Sequence, residues 1–337
     1  MIPTQPTNKE LSLGFLGVGW IGRNRMEAIL KNTKARAAAI TEPNSENLDA
    51  AKKSAKNAIL KSSPEALFAE EDLDGIVIAT PSAMHAKQSM DALKSGKAVF
   101  CQKPLGRTAE EVKQVVEASR NADKLLAVDL SYRYTKAFKA VYDTIQKGEI
   151  GEIFAVDLTF HNAYGPDKEW FYDIKKSGGG CVMDLGIHLV DLALWSLDFP
   201  EIKAVRSHLF HKGNKLTSFE EHVEDFASVN LTSEKDQVIN LECSWHVSAG
   251  KDAIIEATFY GTKGGASFKN VNGSFYDFKA EKYHGTQTET LVNPPDEWSG
   301  RAGIVWVENL LENNRFDEKS ATEFIKTALV IDRIYGK

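Results

Sequence analysis

Apolar positions follow two different rhythms along this chain. Over its first 130 residues, short runs rich in apolar side chains alternate with longer segments whose apolar residues recur every three or four positions. The runs 11–17, 35–41, 75–80, 98–101 and 125–129 show little polar alternation, which predicts strands buried on both faces. The segments 21–32, 48–58, 83–95 and 108–121 read as helices; Met26, Ile29 and Leu30 share one side of the first. Ser63 before Pro64 has the chemistry of an N-cap followed by proline in the first turn. Strands alternating with helices of this length predict a doubly wound α/β domain on a parallel sheet, over residues 1–130.

After Tyr134 the rhythm changes. A helix is expected over 136–147, a strand over 153–161 and a mostly apolar helix over 185–197. Strand-like stretches follow at 202–210, 224–231, 237–247, 253–260 and 266–268, and a closing helix at 323–335. In 237–247, Ile239, Leu241, Cys243 and Trp245 fall on one face, and Asn240, Glu242, Ser244 and His246 on the other. That period of two predicts an α+β domain with a mostly antiparallel open sheet over residues 131–337.

At about 150 residues per domain, the length of 337 accommodates these two. Against 47 Asp+Glu stand 41 Lys+Arg, a net charge of −6, and no basic block or basic–aromatic stripe appears, which argues against nucleic acid as a partner. No uninterrupted apolar run approaches the ~18 residues of a membrane span; the longest, 185–197, is broken by His188 and Asp191. Residues 1–10 lack a basic-then-apolar signal pattern, so neither membrane association nor export is expected. Cys101, Cys181 and Cys243 are odd in number, far apart and without a C-x-x-C pair. They read as free thiols of a reducing, cytoplasmic compartment, with neither a disulfide framework nor a zinc site.

Four motifs carry candidate chemistry. Gly17-Val18-Gly19-Trp20-Ile21-Gly22 follows the first strand and opens the first helix. Such a G-x-G-x-x-G turn lets a backbone approach a pyrophosphate and places that anion at a helix N-terminus. Glu42 lies 20 residues past Gly22, where an acid meets an adenosine ribose 2′-OH; this favours NAD over NADP, with Arg23, Arg25 and Arg36 as the opposing signal. Thr80 and Pro81, with His85 beyond, end a parallel strand where open α/β sheets bind ligands, or simply turn into the next helix. Lys103, before Pro104, is either a donor to a developing oxyanion or a surface lysine. Asp184 and His188, four apart in an apolar helix after Gly178-Gly179-Gly180, read as a proton-handling pair, as a mutually satisfied structural pair, or, with Asp191 and Cys181, as a metal set; no metal is the expectation.

This ordered set resembles the glucose–fructose oxidoreductase, inositol dehydrogenase and rhizopine-catabolism (Gfo/Idh/MocA) family along nearly the whole chain. The resemblance implies an NAD(P)-dependent oxidoreductase of sugars, cyclitols or related alcohols, with a Rossmann domain followed by a domain whose open sheet often forms an oligomer interface. A homodimer or homotetramer is therefore expected. It also implies that Lys103 is catalytic, Asp184 binds substrate and His188 is the acid/base. Two departures stand out: Gln102-Lys103-Pro104 replaces the family's Glu-Lys-Pro, and Ser82 replaces its Asn.

For the substrate side, residues 161–172 are rich in aromatics and hydrogen-bonding groups, and Tyr164 and Trp170 are candidates for stacking on a sugar ring. Arg133 either pairs with an acidic substrate or forms a salt bridge between domains. The rival to a dehydrogenase is an NAD- or sugar-sensing protein without turnover; a third reading is reduction of a keto-sugar or chemistry on a nucleotide sugar.

Overall fold

The computed structural model describes residues 10–337; the reading of the chain's first nine residues as lacking an export signal lies outside the described residues. Two compact units emerge. One comprises the chain up to Gly106, Glu110–Ser131 and Ser299–Thr322; the other comprises Arg107–Ala109, Tyr132–Trp298 and Glu323–Lys337. A single boundary between residues 130 and 131 therefore misses the return of residues 299–322 to the first unit.

The first unit is built from β1 (Leu11–Leu16), α1 (Trp20–Asn32), β2 (Ala35–Thr41), α2 (Ser45–Lys52), β3 (Ile59–Leu60), α3 (Pro64–Phe68), β4 (Gly75–Ile78), α4 (Ser82–Lys94), β5 (Ala98–Cys101), α5 (Ala109–Ala122) and β6 (Leu126–Val128). The six strands pair in parallel in the order β3-β2-β1-β4-β5-β6. Strand order reverses between β1 and β4, and the crevice outside their carboxyl ends is where such sheets take ligands. As expected, Ser63 caps α3, accepting from the Ala66 N–H at 3.2 Å.

The second unit holds α6 (Lys136–Gln146), β7 (Ile153–Asn162), α7 (Ile174–Ser177), α8 (Ile187–Ser196), β8 (Ile202–His211), β9 (Asn214–Lys215), β10 (Phe226–Ser233), β11 (Val238–Ser244), β12 (Ala253–Gly261), β13 (Gly264–Asn270), β14 (Phe278–His284) and β15 (Gln287–Val292). Its nine strands run in the order β15-β14-β13-β12-β7-β11-β10-β8-β9, antiparallel except for the β7–β11 pair. Ile239, Leu241 and Cys243 are buried as the alternation predicted. On the other face Asp157, Arg206, His208, Asn230, Asn240 and Glu242 line a polar cleft of about 420 Å³. The stretch Ile174–Ser196 contains an 18-residue window apolar and long enough to cross a membrane, which the sequence reading did not register, but 94% of that window is buried in the protein as a core helix.

Two helices close the chain, α9 (Arg301–Glu312) and α10 (Glu318–Ile334). The first was not anticipated. It lays Trp306, 1% exposed, against Phe100 of β5, with ring centroids 5.7 Å apart. The Trp306 ring comes within 2.8 Å of where a Cβ on Gly75 would stand, so this close approach requires glycine there.

Candidate active site

The glycine turn between β1 and α1 has the form of an anion cradle. Gly17 sits at φ 83°, and a Cβ on it would meet the Ala79 carbonyl at 2.8 Å; one on Gly22 would meet the Gly17 carbonyl oxygen at 2.2 Å. These two glycines close the turn against β4. Gly19 differs. Its Cβ position has only Asn47 Nδ2 nearby, at 3.8 Å, so the space above it is open. As N-cap of α1, Gly19 brings no side-chain acceptor, and the first turn of the helix holds no acid. The first N–H groups of a helix need acceptors, and here a diphosphate fits that role. Trp20 is 65% exposed at this turn, and Ile21 follows it half-buried.

Glu42, just beyond β2, accepts from the Val18 N–H at 2.8 Å with one oxygen and from the Asn44 N–H at 3.0 Å with the other. A carboxylate offers about four lone-pair sites, so two remain for a ribose diol. Of the arginines weighed against NAD, Arg25 is committed elsewhere: Nε donates to Asp129 at 2.5 Å, and Nη1 donates to Asn24 and Ser299. Arg36 lies near the start of β2, at the opposite end from Glu42, and pairs loosely with Glu10.

At the ends of β4 and β5, the turns at Thr80 and Pro104 meet at one buried side chain. His85 was expected to touch the cofactor. It is 2% exposed, with Nε2 at 2.6 Å from the Thr80 carbonyl and Nδ1 at 2.7 Å from the Pro104 carbonyl. Burial pushes its pKa down, and the two carbonyls only partly offset this. Both ring nitrogens are thus taken by protein oxygens, and His85 ties the two ligand-side turns together. The Thr80 hydroxyl donates to Gln88 at 2.5 Å, and Pro81 precedes α4 as its N-cap residue. Gln102 donates through Nε2 to the same Asp129 oxygen that Arg25 reaches. The residue before Lys103 is therefore a donor facing a buried carboxylate.

In the second unit, Asp184 lies in a π-helical turn, Val182–Gly186, that leads into α8, and His188 is the second residue of α8. The pair does not follow the i, i+4 geometry of a regular helix expected from its spacing. Such wide turns concentrate at functional sites. Asp184 accepts from Trp245 Nε1 at 3.1 Å. His188, 8% exposed, meets the Tyr132 ring edge-on, with centroids 4.9 Å apart.

The turn is held from below by Glu224, fully buried, which accepts from the Gly180 and Val182 N–H groups and from Tyr335 Oη at 2.7 Å. Burial raises its pKa, against the pull of those donors. Glu224 and Trp245 were not singled out from the sequence. Trp245 showed only as a core position on its strand, and nothing local marks either as a partner of the Asp184 turn.

Arg133 forms the salt bridges that were its second reading, here with two acids of its own unit. Its Nε and Nη2 donate to the two oxygens of Asp191 at 2.8 and 2.5 Å, and Nη1 donates to Glu323 at 2.6 Å. The cluster is largely buried in the second unit, and both oxygens of Asp191 are engaged by Arg133. Among the described residues no group of three or more His, Cys, Asp and Glu side chains is placed to hold a metal ion. Cys101, Cys181 and Cys243 are free and buried, and burial pushes the Cys101 thiol up to about 12. Tyr164, 58% exposed, donates to Asp252 at 2.5 Å, and Trp170 stacks on Phe171 at 3.8 Å.

Comparison with known proteins matches two family descriptions: "Oxidoreductase family, NAD-binding Rossmann fold" over residues 11–130, and "GFO/IDH/MocA C-terminal domain" over residues 138–267. The chain belongs to the Gfo/Idh/MocA oxidoreductase family. Among curated relatives, D-glucoside 3-dehydrogenase of Escherichia coli is 27% identical over 221 residues, 63% of each chain; the match thus spans less than two thirds of that relative. Inositol 2-dehydrogenase of Rhizobium meliloti is 28% identical over 76% of this chain and 75% of its own. Levoglucosan dehydrogenase, solved with NADH and levoglucosan, shares the fold at a TM-score of 0.82 and 21% identity, covering 97% of this chain and 96% of its own.

Proposed function

We propose that this oxidoreductase moves a hydride between NAD and a secondary alcohol or ketone of a sugar, cyclitol or related polyol. The observation that carries the reading is the Asp184–His188 segment. A carboxylate and an imidazole stand on one π-to-α helical stretch, fixed by Trp245 and Glu224 in a unit rich in aromatic side chains. The named activities of the relatives, on glucosides and inositol, support the substrate class.

When bound, the nicotinamide accepts or supplies the hydride. The chain's own residues position and exchange protons. Gly17, Gly19 and Gly22 with the start of α1 would hold the diphosphate, and Glu42 the adenosine ribose. His188 takes the hydroxyl proton during oxidation and returns it during reduction. Lys103 donates a hydrogen bond to the reacting oxygen and offsets its negative charge. Asp184 accepts from a substrate hydroxyl while the Trp245 indole keeps its carboxylate in place. Tyr164 and Trp170 offer ring faces to the sugar.

A screen of sugars, inositols and sugar acids with NAD, read as NADH absorbance, tests this. Turnover of at least one polyol is expected; cofactor binding with no turnover across the panel would favour a sensor instead. We also infer a homo-oligomer formed through the polar face of the nine-stranded sheet, to be checked by multi-angle light scattering.

A further inference from the structure

The helix that carries Asp184 and His188 starts at Cys181, and the Asp184 N–H makes its first internal bond, to the Gly180 carbonyl at 3.0 Å. The four N–H groups before it, on Gly180, Cys181, Val182 and Met183, have no partner within the helix and need acceptors from elsewhere. Two residues supply all four. The Glu224 carboxylate accepts from Gly180 at 3.0 and 3.1 Å and from Val182 at 2.9 Å. The Glu224 backbone carbonyl accepts from Cys181 at 3.0 Å. Tyr335 Oη accepts from Met183 at 3.2 Å and donates to the Glu224 carboxylate at 2.7 Å.

Burying a carboxylate is unfavourable unless donors surround it, and Glu224, just before β10, is fully buried. Tyr335 follows α10 and is buried too, with Phe219 edge-on to its ring at 5.5 Å. Burial, and then the Glu224 charge, push the Tyr335 phenol well above its ordinary range, so the hydroxyl keeps the proton it donates. All these residues belong to the second unit. The place where the helix starts matters because a π turn follows. The Ile187 N–H reaches back five positions to the Val182 carbonyl, where a regular helix reaches back four. A start displaced by one residue would turn the side chains beyond it by about 100° around the axis, the step of one residue at 3.6 per turn.

We propose that Glu224 and Tyr335 are positioning residues for the proton transfer: they fix where this helix starts, and so hold Asp184 and His188 in their working orientation. The inference rests on the sugar-oxidoreductase reading above. Both residues are buried and act through the turn. Tyr335→Phe keeps the ring, takes the acceptor from the Met183 N–H and removes one donor from Glu224. Glu224→Gln keeps the shape, but whichever way its amide is turned, its NH2 meets the Gly180 N–H, donor against donor.

The test follows both variants by steady-state kinetics and by NMR of protein carrying isotope-labelled histidine, the His188 imidazole signal being the one lost in His188→Asn. A kcat for polyol oxidation about tenfold or more below the parent is expected, the scale of a small misplacement of reacting groups. The Kd for NAD should be unchanged, and the His188 signal should shift while that of His85, in the first unit, stays in place. A purely structural role would lower the unfolding midpoint and leave the folded protein's kcat at the parental value. Parental kcat in folded Tyr335→Phe therefore overturns the proposal, whatever stability is lost. If Glu224→Gln does not fold, Tyr335→Phe decides alone. If the parent oxidises no polyol, it is the sugar-oxidoreductase reading that fails, and the His188 signal then decides: a shift in Tyr335→Phe supports the positioning role, and an unmoved signal overturns it.

Discussion

Replacing Gln102 by the glutamate usual in this family tests the buried network beside Lys103 directly. Gln102 is 7% exposed and Asp129 is 1% exposed. Asp129 Oδ2 already accepts from Gln102 Nε2 and Arg25 Nε, and its buried Oδ1 has no hydrogen-bond partner among the described residues. Gln102→Glu sets a second carboxyl against that oxygen. Two carboxylates at hydrogen-bond distance do not both ionise in a buried site, so the introduced group must stay protonated. Holding a glutamate protonated at pH 7 costs about 1.36 kcal/mol for each of the roughly 2.7 units between 4.3 and 7, about 3.7 kcal/mol. The hydrogen bond it donates to Asp129 replaces the weaker amide one from Gln102, and the difference recovers about 1 kcal/mol. The expected net loss of stability is about 2–3 kcal/mol at pH 7.

The sign with pH follows. The introduced acid has a folded pKa above its unfolded one, so its penalty is absent below the unfolded value and grows as pH rises toward the folded one. Urea unfolding at pH 5 and pH 7 measures this: the variant should fall further below the parent at pH 7 than at pH 5. Adding Asp129→Asn should recover most of the loss, because donor and acceptor then exchange places. A Gln102→Glu protein as stable as its parent at both pH values would refute the network as the reason for glutamine here.

Lys103→Ala should lower turnover by about 10²-fold or more with cofactor affinity little changed, the scale of removing one oxyanion donor, as read by steady-state kinetics and cofactor titration; parental turnover would end its assigned role. His188→Asn should remove the rise of oxidation rate between about pH 6 and 8 where imidazole titrates, and an unchanged pH–rate profile would make it a core histidine. Glu42→Ser should narrow a preference for NAD over NADP measured by fluorescence titration, because the carboxylate that accepts ribose hydroxyls also repels a 2′-phosphate; tighter NADP binding by the parent would contradict this. Glu281 would be raised by burial, but Lys269 and Lys279 ammonium groups at 2.6 Å and the Tyr283 hydroxyl hold its pKa at about 2. Its stabilisation is present above the unfolded value near 4.5 and is lost as pH falls toward 2, so the stability gap between parent and Glu281→Gln should close over that window in urea melts.

What could be read in advance was whatever repeats along the chain. Five of the six parallel strands of the first unit, the alternation of β11 and the glycine turn each leave a local pattern, because a strand or a helix N-terminus is made by neighbours in sequence; β3, two exposed residues, leaves none. α9 left such a pattern too, in Ile304, Trp306, Val307 and Leu310, but nothing in a helix says which unit it will cover. β14 was hidden because Lys279, Glu281 and Tyr283 alternate with Phe278 and Ala280 as a ladder that is polar on one face and scarcely apolar on the other. The site was legible only as far as its reactive groups. Arg25, Gln102 and Asp129 meet across separations of 104 and 27 residues, and Glu224 reaches Val182 across 42. Contacts of that kind have no period, so nothing near Arg133 or His85 in the sequence announced Asp191, Glu323 or the two carbonyls they meet. The triple glycine before Asp184 makes the same point at atomic scale. Gly178 turns left-handed at φ 88° to end α7, a Cβ on Gly179 would meet the Tyr335 hydroxyl at 2.0 Å, and one on Gly180 the Glu224 carbonyl at 1.9 Å. A run that reads as one flexible motif is three separate requirements, each set by a different atom that presses against the turn holding Asp184.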